Sequence, residues 1–565
     1  MPDADRRDPQ EKGFLNHMAG KEQQPGRSSH AGKLPEAEKK LHEAVCVLLV
    51  ELCERFTFFG IVCNMILFCT AKLGYRSHQA AMVNMCFVGT STLTPVLMGW
   101  LAEYLMGRTK LVCICMFLHF LGTALLPVVS FPFEDVHIDR RHILLALPKR
   151  EQKILFYFAL LTASLGIGGI RAIVCPLSAY KEEKKPSFLL YSEFHWLVNL
   201  NSAVVFVSIS YIQQSVARNL GFLIPFVSGL MAMITIHMIR GEMIYKPKTG
   251  KRHSLLTTFG VIFSALKTCG VRYRYLSTAV ANWLDHAKEN HGGHYSETQV
   301  EGTKSLARLF PLFTFQILYR TCIMQIPSGY YLQTMHSNLH FSGFVLPVAA
   351  MNMISIVPLL ILVPILECIN SWLFSFKDTG HSPTICIGHL SAALSVMAAG
   401  FSEIHRKHFP QVEQTLSEEL LLVSSMPCFH LAPQYVLLGV AEALVTPSCK
   451  MRGISMHFLA LFNGAGCFQG KLILLQMSAS PGTWFPHLLH EGKLERFFFF
   501  LASLMMVNTL GFWAIAHRYN NLHEDCTNEF RGNLSGEKLL KNEKAIKHYN
   551  AVLESSPILS PVEKT

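Results

Sequence analysis

One short stretch near the N terminus carries three ionisable side chains in otherwise apolar surroundings. Glu51, Glu54 and Arg55 stand in the stretch ELCERFTFFG, residues 51–60. Spacings of three and four residues put these side chains on about one face of a helix. Charges inside a membrane are costly, and they face a bundle interior or a water-filled cavity rather than lipid. The stretch therefore predicts a polar cavity, while a structural ion pair that only fixes helix packing remains the alternative interpretation.

Two more charged residues lie deep in apolar stretches. Arg171 stands in GIGGIRAIV, behind glycines that allow another helix to approach closely, and Glu442 stands in PQYVLLGVAEAL. When opposite charges meet in a low dielectric, protonating one carboxylate breaks its pairing with a guanidinium. Such a change shifts the balance between two helix arrangements. The chemistry predicted for these residues is therefore proton uptake that drives a conformational change.

The elements that position these charges are membrane-spanning helices. Half of the 565 residues are hydrophobic and only 16% are charged, which is outside the range of ordinary soluble domains. Apolar runs of about 20 residues, enough to cross a bilayer, recur along the chain. Window hydropathy predicts twelve spans, centred near Val50, Val88, Leu118, Leu165, Val204, Val227, Ile317, Ile356, Ala393, Leu438, Leu461 and Met505.

The distribution of basic residues predicts which loops face the cytosol. Lys and Arg crowd the N-terminal tail, residues 107–110, 181–185, 240–308 and 450–452, and the C-terminal tail. By the positive-inside rule these segments, and hence both termini, are cytosolic. The net charge of +11 thus reports membrane topology, and no nucleic-acid partner is expected.

The long basic segment divides the spans into two sets of six. We predict a disordered cytosolic tail at 1–42, a six-helix bundle at 43–239, a cytosolic linker at 240–305, a second six-helix bundle at 306–517 and a cytosolic tail at 518–565. Two such halves predict an all-α membrane protein with the architecture of the major facilitator superfamily, in which a substrate site is expected near the midplane between the halves. Residues 255–283 of the linker are apolar with interspersed cations, which fits either helices at the membrane surface or a partly ordered linker.

With these residues in view, the chain resembles the proton-coupled oligopeptide transporters, solute carrier family 15. The family motif ExxERFxYYG is matched by Glu51, Glu54 and Arg55, while Phe58 and Phe59 replace its two tyrosines. The replacement removes hydroxyl contacts to a substrate but keeps rings that can stack. The resemblance therefore implies that both phenylalanines contact substrate.

The second span carries a further family motif. The stretch LTPVLMGWLAEYLMGR resembles the conformational latch of major facilitators. The resemblance assigns this latch to Gly99, Glu103, Gly107 and Arg108.

The fourth, fifth and tenth spans complete the resemblance. GIGGIR is similar to the family's GTGGIK and puts Arg171 where a lysine pairs with the first-span carboxylates. Because arginine practically never loses its proton, coupling would run through Glu51 or Glu54. FHWLVNLNS and PQYVLLGVAE resemble the stretches in which Asn199 would contact the substrate backbone and Glu442 would receive the amino terminus of a peptide.

The branch of the family and some departures from it can also be read from the sequence. HGGHYSETQVEGTKSL and YYLQTMH are most similar to the peptide/histidine transporter branch. The resemblance places Gln325 in the substrate site, and a hydrogen bond between helices is its alternative role.

Val62 and Met85 stand where the classical peptide carriers have an arginine and a histidine. Only residues 405–427 replace the extracellular domain of the intestinal-type carriers, and a turn that the family has after Glu442 is missing.

Together these features predict a proton-coupled symporter that moves di- and tripeptides, or histidine-like amino acids, by alternating access. Protons are the coupling ion; no other cofactor, no metal and no enzyme activity is expected, because nothing resembles a nucleotide loop, a hydrolase nucleophile or a zinc motif. The alternative is a nontransporting membrane scaffold or sensor whose tails recruit a cytosolic adaptor. The bilayer in question is the plasma membrane or an endolysosomal membrane.

Overall fold

The structure is a computed structural model of the whole chain. It describes residues 33–105, 108–130, 149–182, 188–216, 218–239, 255–272, 283–291, 293–373, 382–416, 419–448, 454–479 and 492–518. Most of the predicted N-terminal tail, and all but the first residue of the predicted C-terminal tail, therefore lie outside the described residues. Helix α1 begins at Lys33, inside the segment predicted as a tail, because KLPEAEKKLHEA is rich in helix-forming residues with opposite charges four apart.

The first half of the chain forms six consecutive helices. They are α1 (Lys33–Ala71), α2 (Ser77–Tyr104), α3 (Arg108–Ser130), α4 (Lys149–Glu182), α5 (Phe188–Val204) and α6 (Arg218–Ile239). Two π-helical turns, Val205–Ile209 and Ile212–Val216, continue α5. Within this half α3 packs on α4, α1 on α6 and α2 on α4, so the six helices form one bundle.

The second half follows the long linker. The linker contains α7 (Leu255–Arg272) and two 3-10 turns, Trp283–Ala287 and Glu289–His291. The remaining helices are α8 (Glu297–Ile323), α9 (Tyr331–Met335), α10 (Met353–Leu373), α11 (Ser382–Lys407), α12 (Ala432–Ser448), α13 (Ile454–Ala479) and α14 (Leu494–Arg518). A π-helical turn, Ile326–Tyr330, joins α8 to α9, so these two act as one span.

Each of the twelve predicted span centres falls within one of these helices. Ten helices among the described residues are long and apolar enough to cross a membrane. Helices α1 and α8, the first of each half, are not among the ten. The two halves meet where α2 packs on α13 and where α5 packs on α10. Two packed six-helix bundles confirm the predicted major-facilitator architecture.

Two β-hairpins mark one end of the bundle. β1 (His340–Phe341) pairs with β2 (Phe344–Val345), and β3 (Gln411–Leu416) pairs with β4 (Glu419–Ser424). We call this end the hairpin end, and the opposite end, which carries α7, the linker end. The second hairpin occupies most of the segment 405–427, so the short loop expected there has regular structure of its own.

A buried ion pair joins α11 to the hairpin end. Arg406 donates hydrogen bonds to both carboxylate oxygens of Glu403, over 2.9 and 2.6 Å, and a third to the carbonyl of His336 over 3.2 Å. The side chains of Arg406 and Glu403 are 1% and 0% exposed. The Ser424 hydroxyl on β4 donates to the Arg406 carbonyl. The pair therefore fastens the end of α11 to the loop after α9 and to the second hairpin.

The linker folds against the start of α8. Buried side chains from α7, the first 3-10 turn and α8 form a small core: Val261, Ala265, Leu284, Ala287 and Val300. Ser296 and Gln299 form a capping box, in which each side chain bonds the backbone N–H of the other residue. Helix α8 therefore begins at Glu297, which lies before the predicted end of the linker at residue 305. The sequence allowed either helices at the membrane surface or a partly ordered linker here. The described part contains an ordered helix, α7.

Candidate functional site

The charged turn of α1 contacts α4 through one short ion pair. Nε of Arg171 donates a hydrogen bond to Oε1 of Glu54 over 2.8 Å, and Nε of Arg55 lies 3.6 Å from Oε2 of the same carboxylate. The side chain of Glu54 is 1% exposed, that of Arg171 13% and that of Arg55 28%. Glu54 is thus shared between two guanidiniums, and only the Arg55 side is open to any extent.

Glu51 completes this cluster. It is buried one turn before Glu54 and interacts electrostatically with Arg55, Glu54 and Arg171. Among the described residues, Oε2 of Glu51, Oε2 of Glu54 and Nη2 of Arg171 have no hydrogen-bond partner. Two carboxylates and two guanidiniums are therefore held together with spare hydrogen-bonding capacity. Glu54 can take up a proton on its unbonded Oε2 while its Oε1 still accepts the hydrogen bond from Arg171.

The glycines before Arg171 bring α4 into backbone contact with its neighbours. A Cβ atom at Gly166 would lie 2.4 Å from the backbone nitrogen of His119 on α3, and one at Gly168 would lie 2.3 Å from Cβ of Thr94 on α2. Such distances leave no room for a side chain. The close helix approach predicted from GIGGIR is confirmed, and it fixes where Arg171 reaches α1.

Aromatic rings line one side of the cluster. Cζ of Arg171 lies 4.5 Å from the ring centroid of Phe58, within cation–π range. The rings of Phe58 and Phe59 meet edge to face at 5.3 Å, and Phe59 meets Phe206 of the α5 continuation at 5.4 Å. Phe58 is buried and Phe59 is half-buried. Of the two predicted substrate contacts, Phe58 therefore also positions Arg171, and Phe59 packs behind it.

Helix α5 contacts the same turn through Asn201. The amide of Asn201 donates to the Leu52 carbonyl of α1 over 3.0 Å, which ties α5 to the charged turn. Asn199 lies two residues earlier and is half-buried, and its carbonyl accepts a hydrogen bond from Ser202 over 2.7 Å. These contacts do not show where the Asn199 side chain lies relative to the charged turn, so its contact with substrate stays a prediction.

Glu442 lies in the second half, with a partner that the sequence reasoning missed. On α12 it is half-buried and interacts electrostatically with Arg320 of α8. The guanidinium of Arg320 also interacts with the thiol of Cys467 on α13. A cation standing alone in LFTFQILYRTCIM was the signal that could have revealed Arg320.

Gln325 is fully buried in the bend between α8 and α9. Its amide nitrogen donates to the carbonyl of Thr321 over 3.1 Å, within its own helix, and Oε1 has no hydrogen-bond partner among the described residues. The described contacts therefore do not link it to another helix, and its place in a substrate site stays a prediction.

The latch motif is described only in part. Gly99 faces α13, where a Cβ atom would lie 3.8 Å from the ring of His457. Gly107 and the side chains of Glu103 and Arg108 lie outside the described residues. The latch thus stays a prediction, with one of its four members placed at the interface between the halves.

Two cavities lie away from the buried charges of the spans. One of about 720 Å³ opens beside α7, and one of about 580 Å³ opens near the hairpin end, where Tyr75, Arg150 and Lys153 line it. Neither is lined by Glu54 or Glu442, so the central cavity inferred from the sequence stays a prediction. Among the described residues no group of His, Cys, Asp or Glu side chains could hold a metal ion.

The protein is a helical membrane bundle in two halves, and each half holds paired charges in its interior. This architecture is typical of secondary transporters. The POT family profile, PTR2, matches residues 109–478, and this chain belongs to the POT family. It is 55% identical over 566 residues to human (Homo sapiens) solute carrier family 15 member 5, covering 97% of this chain and 96% of that protein. The resemblance to solute carrier family 15 is thereby confirmed, and within that family the chain is similar to the fifth member.

Solved structures support the same fold. The crystal structure of an auto-inhibited POT family peptide transporter matches with a TM-score of 0.64 at 17% identity, covering 84% of this chain and 97% of that one. A variant of a POT peptide transporter in complex with alafosfalin matches with a TM-score of 0.59 at 14% identity, covering 84% and 94%. At these identities the comparison establishes the architecture alone.

Proposed function

We propose that this chain is a proton-coupled symporter that carries di- and tripeptides, or histidine-like amino acids, across a membrane by alternating access. The observation that supports this best is the ion pair between Glu54 and Arg171, with Glu51 and Arg55 in the same cluster. It joins two helices of the first half through a contact whose strength depends on protonation. Both termini would be cytosolic, in the plasma membrane or an endolysosomal membrane.

The coupling step follows from the charges. While both carboxylates are ionised, they balance the guanidiniums of Arg55 and Arg171. A proton on Glu54 removes one negative charge, and the two cations then repel each other in a medium of low dielectric. Because arginine keeps its proton, the coupling proton resides on Glu51 or Glu54, and we assign it to Glu54, which is bonded to Arg171. Proton uptake would thus loosen α4 from α1 and favour the other arrangement of the helices.

Polar contacts between the halves hold the hairpin end closed. The amide of Asn84 donates to the Pro327 carbonyl over 2.8 Å. The amide of Gln214 reaches the Leu346 carbonyl over 3.3 Å, and its oxygen accepts from the backbone N–H of Val348 over 2.9 Å. In the proposed topology this end faces away from the cytosol. Opening to that side would require these contacts to break, as alternating access demands.

The proposed substrate lies between the halves. Phe58, Phe59 and Asn199 would contact it from the first half, and Gln325 and Glu442 from the second. A POT relative of the same fold has been solved with alafosfalin, which favours a small peptide-like substrate here as well. The bilayer and the proton are the other partners of this function.

Uptake into proteoliposomes tests the proposal. The purified protein is reconstituted, a pH gradient is imposed, and labelled dipeptides, tripeptides and histidine are offered. Accumulation of at least one of them that stops when the gradient is collapsed is the expected result. If a folded preparation accumulates none, the proposal is wrong.

A nontransporting scaffold or sensor is the second candidate. It is favoured by the missing turn between α12, which ends at Ser448, and α13, which begins at Ile454, together with Val62 at the family's arginine position. Deleting residues 1–32 and 519–565 separates the two functions. A transporter keeps its uptake after the deletion, whereas a scaffold loses the cytosolic adaptor that its tails recruit.

A further inference from the structure

The cavity of about 580 Å³ near the hairpin end lies at the start of α4. Arg150, Lys153, Ile154 and Tyr157 line it from the first turns of this helix, and Tyr75 lines it from the connection between α1 and α2. Among the described residues no carboxylate forms a salt bridge with Arg150 or Lys153. The cavity therefore carries positive charge that the described part of the protein does not neutralise.

The cations and the phenol groups of this cavity contact one another. Nζ of Lys153 lies 4.6 Å from the ring centroid of Tyr75, and the hydroxyl of Tyr157 donates to that of Tyr75 over 2.9 Å. Because Tyr157 is the donor, the hydroxyl of Tyr75 keeps its own hydrogen for an oxygen atom in the cavity. The first backbone N–H groups of α4 lack partners within the helix and add to the attraction for an anion. The cavity thus offers a phosphate group both charge and hydrogen-bond donors.

The same part of α4 presents an apolar stripe to the membrane. Ile154, Phe158 and Leu161 are 60%, 48% and 52% exposed, and their spacings of four and three residues put them on one face. This stripe begins at the cavity and runs along the candidate membrane span Arg150–Ala172. Lipid tails are as apolar as these side chains. A ligand with its phosphate in the cavity can therefore lay a hydrocarbon chain on the stripe.

Two simpler roles leave the cavity unexplained. The positive-inside rule places cations on the cytosolic side, whereas Arg150 and Lys153 stand at the end that faces away from the cytosol in the proposed topology. A cation that only extends toward water at the membrane surface needs neither a tyrosine partner nor a cavity. The charges also distinguish between lipids, because the ammonium group of a zwitterionic lipid would come close to both cations and be repelled.

We propose that this cavity binds the phosphate of an anionic membrane phospholipid. Arg150 and Lys153 pair with the phosphate, Tyr75 donates a hydrogen bond to it, and an acyl chain lies on the exposed stripe of α4. The lipid would join the connection between α1 and α2 to the start of α4. This inference does not depend on what the protein transports.

Native mass spectrometry of the full-length protein in a neutral detergent tests the inference. Dioleoylphosphatidylglycerol and dioleoylphosphatidylcholine, which have the same acyl chains, are titrated separately, and the readout is the apparent dissociation constant of the first bound lipid. The wild type should bind the anionic lipid more tightly by about tenfold or more, since its charge-assisted hydrogen bonds are not opposed by a repelled ammonium group. Inorganic phosphate in excess should not displace it, because the acyl chains add apolar contact.

Variants locate the bound lipid. Arg150→Gln/Lys153→Gln removes both cations and should bring the two lipids to about the same affinity. Tyr75→Phe keeps the ring near Lys153 but removes a hydroxyl, so it should weaken binding of the anionic lipid by a smaller factor. The matched control is Lys493→Gln/Arg496→Gln, which removes two cations with the same spacing at the start of α14 and should keep the wild-type preference. Melting temperatures without added lipid check that each variant is folded.

The outcomes are distinct. The inference is wrong if the wild type binds both lipids alike, or if the α4 double variant still prefers the anionic one. A carboxylate of residues 131–148, which lie outside the described residues, is the alternative occupant, and it would give the first of these results. An equal loss of preference in the α14 control would assign the effect to surface charge in general and would overturn the inference. Displacement by inorganic phosphate would assign the cavity to a free anion instead of a lipid.

Discussion

Nε of Arg171 on α4 lies 2.8 Å from Oε1 of Glu54 on α1, so one ion pair joins these two helices of the first half. In the proposed function this pair is the contact through which a proton would act on the fold. Both side chains are largely buried, so each needs the other to offset the cost of its desolvation. The pair is built from sequence features of two kinds: carboxylates spaced along one helix face, and glycines that let a second helix approach.

Substitutions at Arg171 should show how much of its contribution to stability comes from its charge. Arg171→Met leaves Glu51 and Glu54 with Arg55 as their one remaining cation, and we expect the free energy of unfolding to fall by about 3–5 kcal/mol, the usual cost of breaking a buried pair. Arg171→Lys keeps the charge and should cost clearly less. Melting curves of the purified variants measure both, and a methionine variant as stable as the wild type would show that the pair is dispensable.

The buried pair at the hairpin end should contribute to stability but not to proton coupling. Arg406→Met removes three hydrogen bonds and leaves Glu403 buried without its partner, so a loss of about 3–5 kcal/mol is expected. The neighbouring Lys407 bonds Glu495 over 2.5 Å and the carbonyl of Gly492, and its side chain is 21% exposed. Lys407→Met should therefore cost less than Arg406→Met, because water reaches the charges that it leaves behind more easily. Equal melting temperatures for the two variants would contradict this account.

Close packing of α4 predicts a sharp difference between two glycines. An alanine at Gly166 would overlap the backbone of His119, whereas one at Gly470 would lie 3.5 Å from its nearest neighbours. Gly166→Ala should therefore destabilise the protein by about 1–3 kcal/mol and displace Arg171 from Glu54, while Gly470→Ala should be close to neutral. Thermal unfolding compares them, and similar values for both would show that α4 can shift without cost.

The junction between the linker and α8 should weaken in acid. Hydrogen bonds from Lys304 and then from Lys288 hold the pKa of Glu301 below its ordinary value of 4.5. Because the folded pKa is the lower one, the stabilisation is present above pH 4.5 and is lost as the pH falls through the lowered value. Amides of residues 283–287 should then exchange hydrogen faster, after correction for the intrinsic pH dependence.

The control for this acid effect is Lys304→Gln. It removes the first hydrogen bond to Glu301 and should lower the protection already at neutral pH, so that acid changes it less. Unchanged protection across the pH range in the wild type would mean that the charged groups around Lys288 do not hold the linker.

Much of the fold could be predicted because the signals are local. Runs of apolar residues predict spans, and basic residues predict the linker at which the halves divide. The spacing of Glu51, Glu54 and Arg55 predicts one charged helix face, and the glycines before Arg171 predict its approach to other helices. Each of these inferences needs only a short window of sequence.

The rest depends on which helix faces meet, and no short window contains that information. Arg320 and Glu442 interact electrostatically only because α8 and α12 belong to the same bundle. Glu403 and Arg406 have an ordinary helix spacing, and it is the second hairpin that buries them. The start of α1 at Lys33 was missed for another reason: its charged sequence is typical of a solvated tail as well as of a helix.

Proton-driven uptake by Glu54→Gln, compared with the wild type, tests the central claim most directly. In proteoliposomes the wild type should accumulate a transported peptide when a pH gradient is imposed. Glu54→Gln should lose this accumulation yet still exchange labelled for unlabelled peptide at equal pH, because the glutamine keeps the shape but cannot take up the proton. Glu413→Gln, on the exposed face of β3, serves as the control. Full gradient-driven accumulation by Glu54→Gln would contradict the claim that this carboxylate couples protons to the movement of α1 and α4.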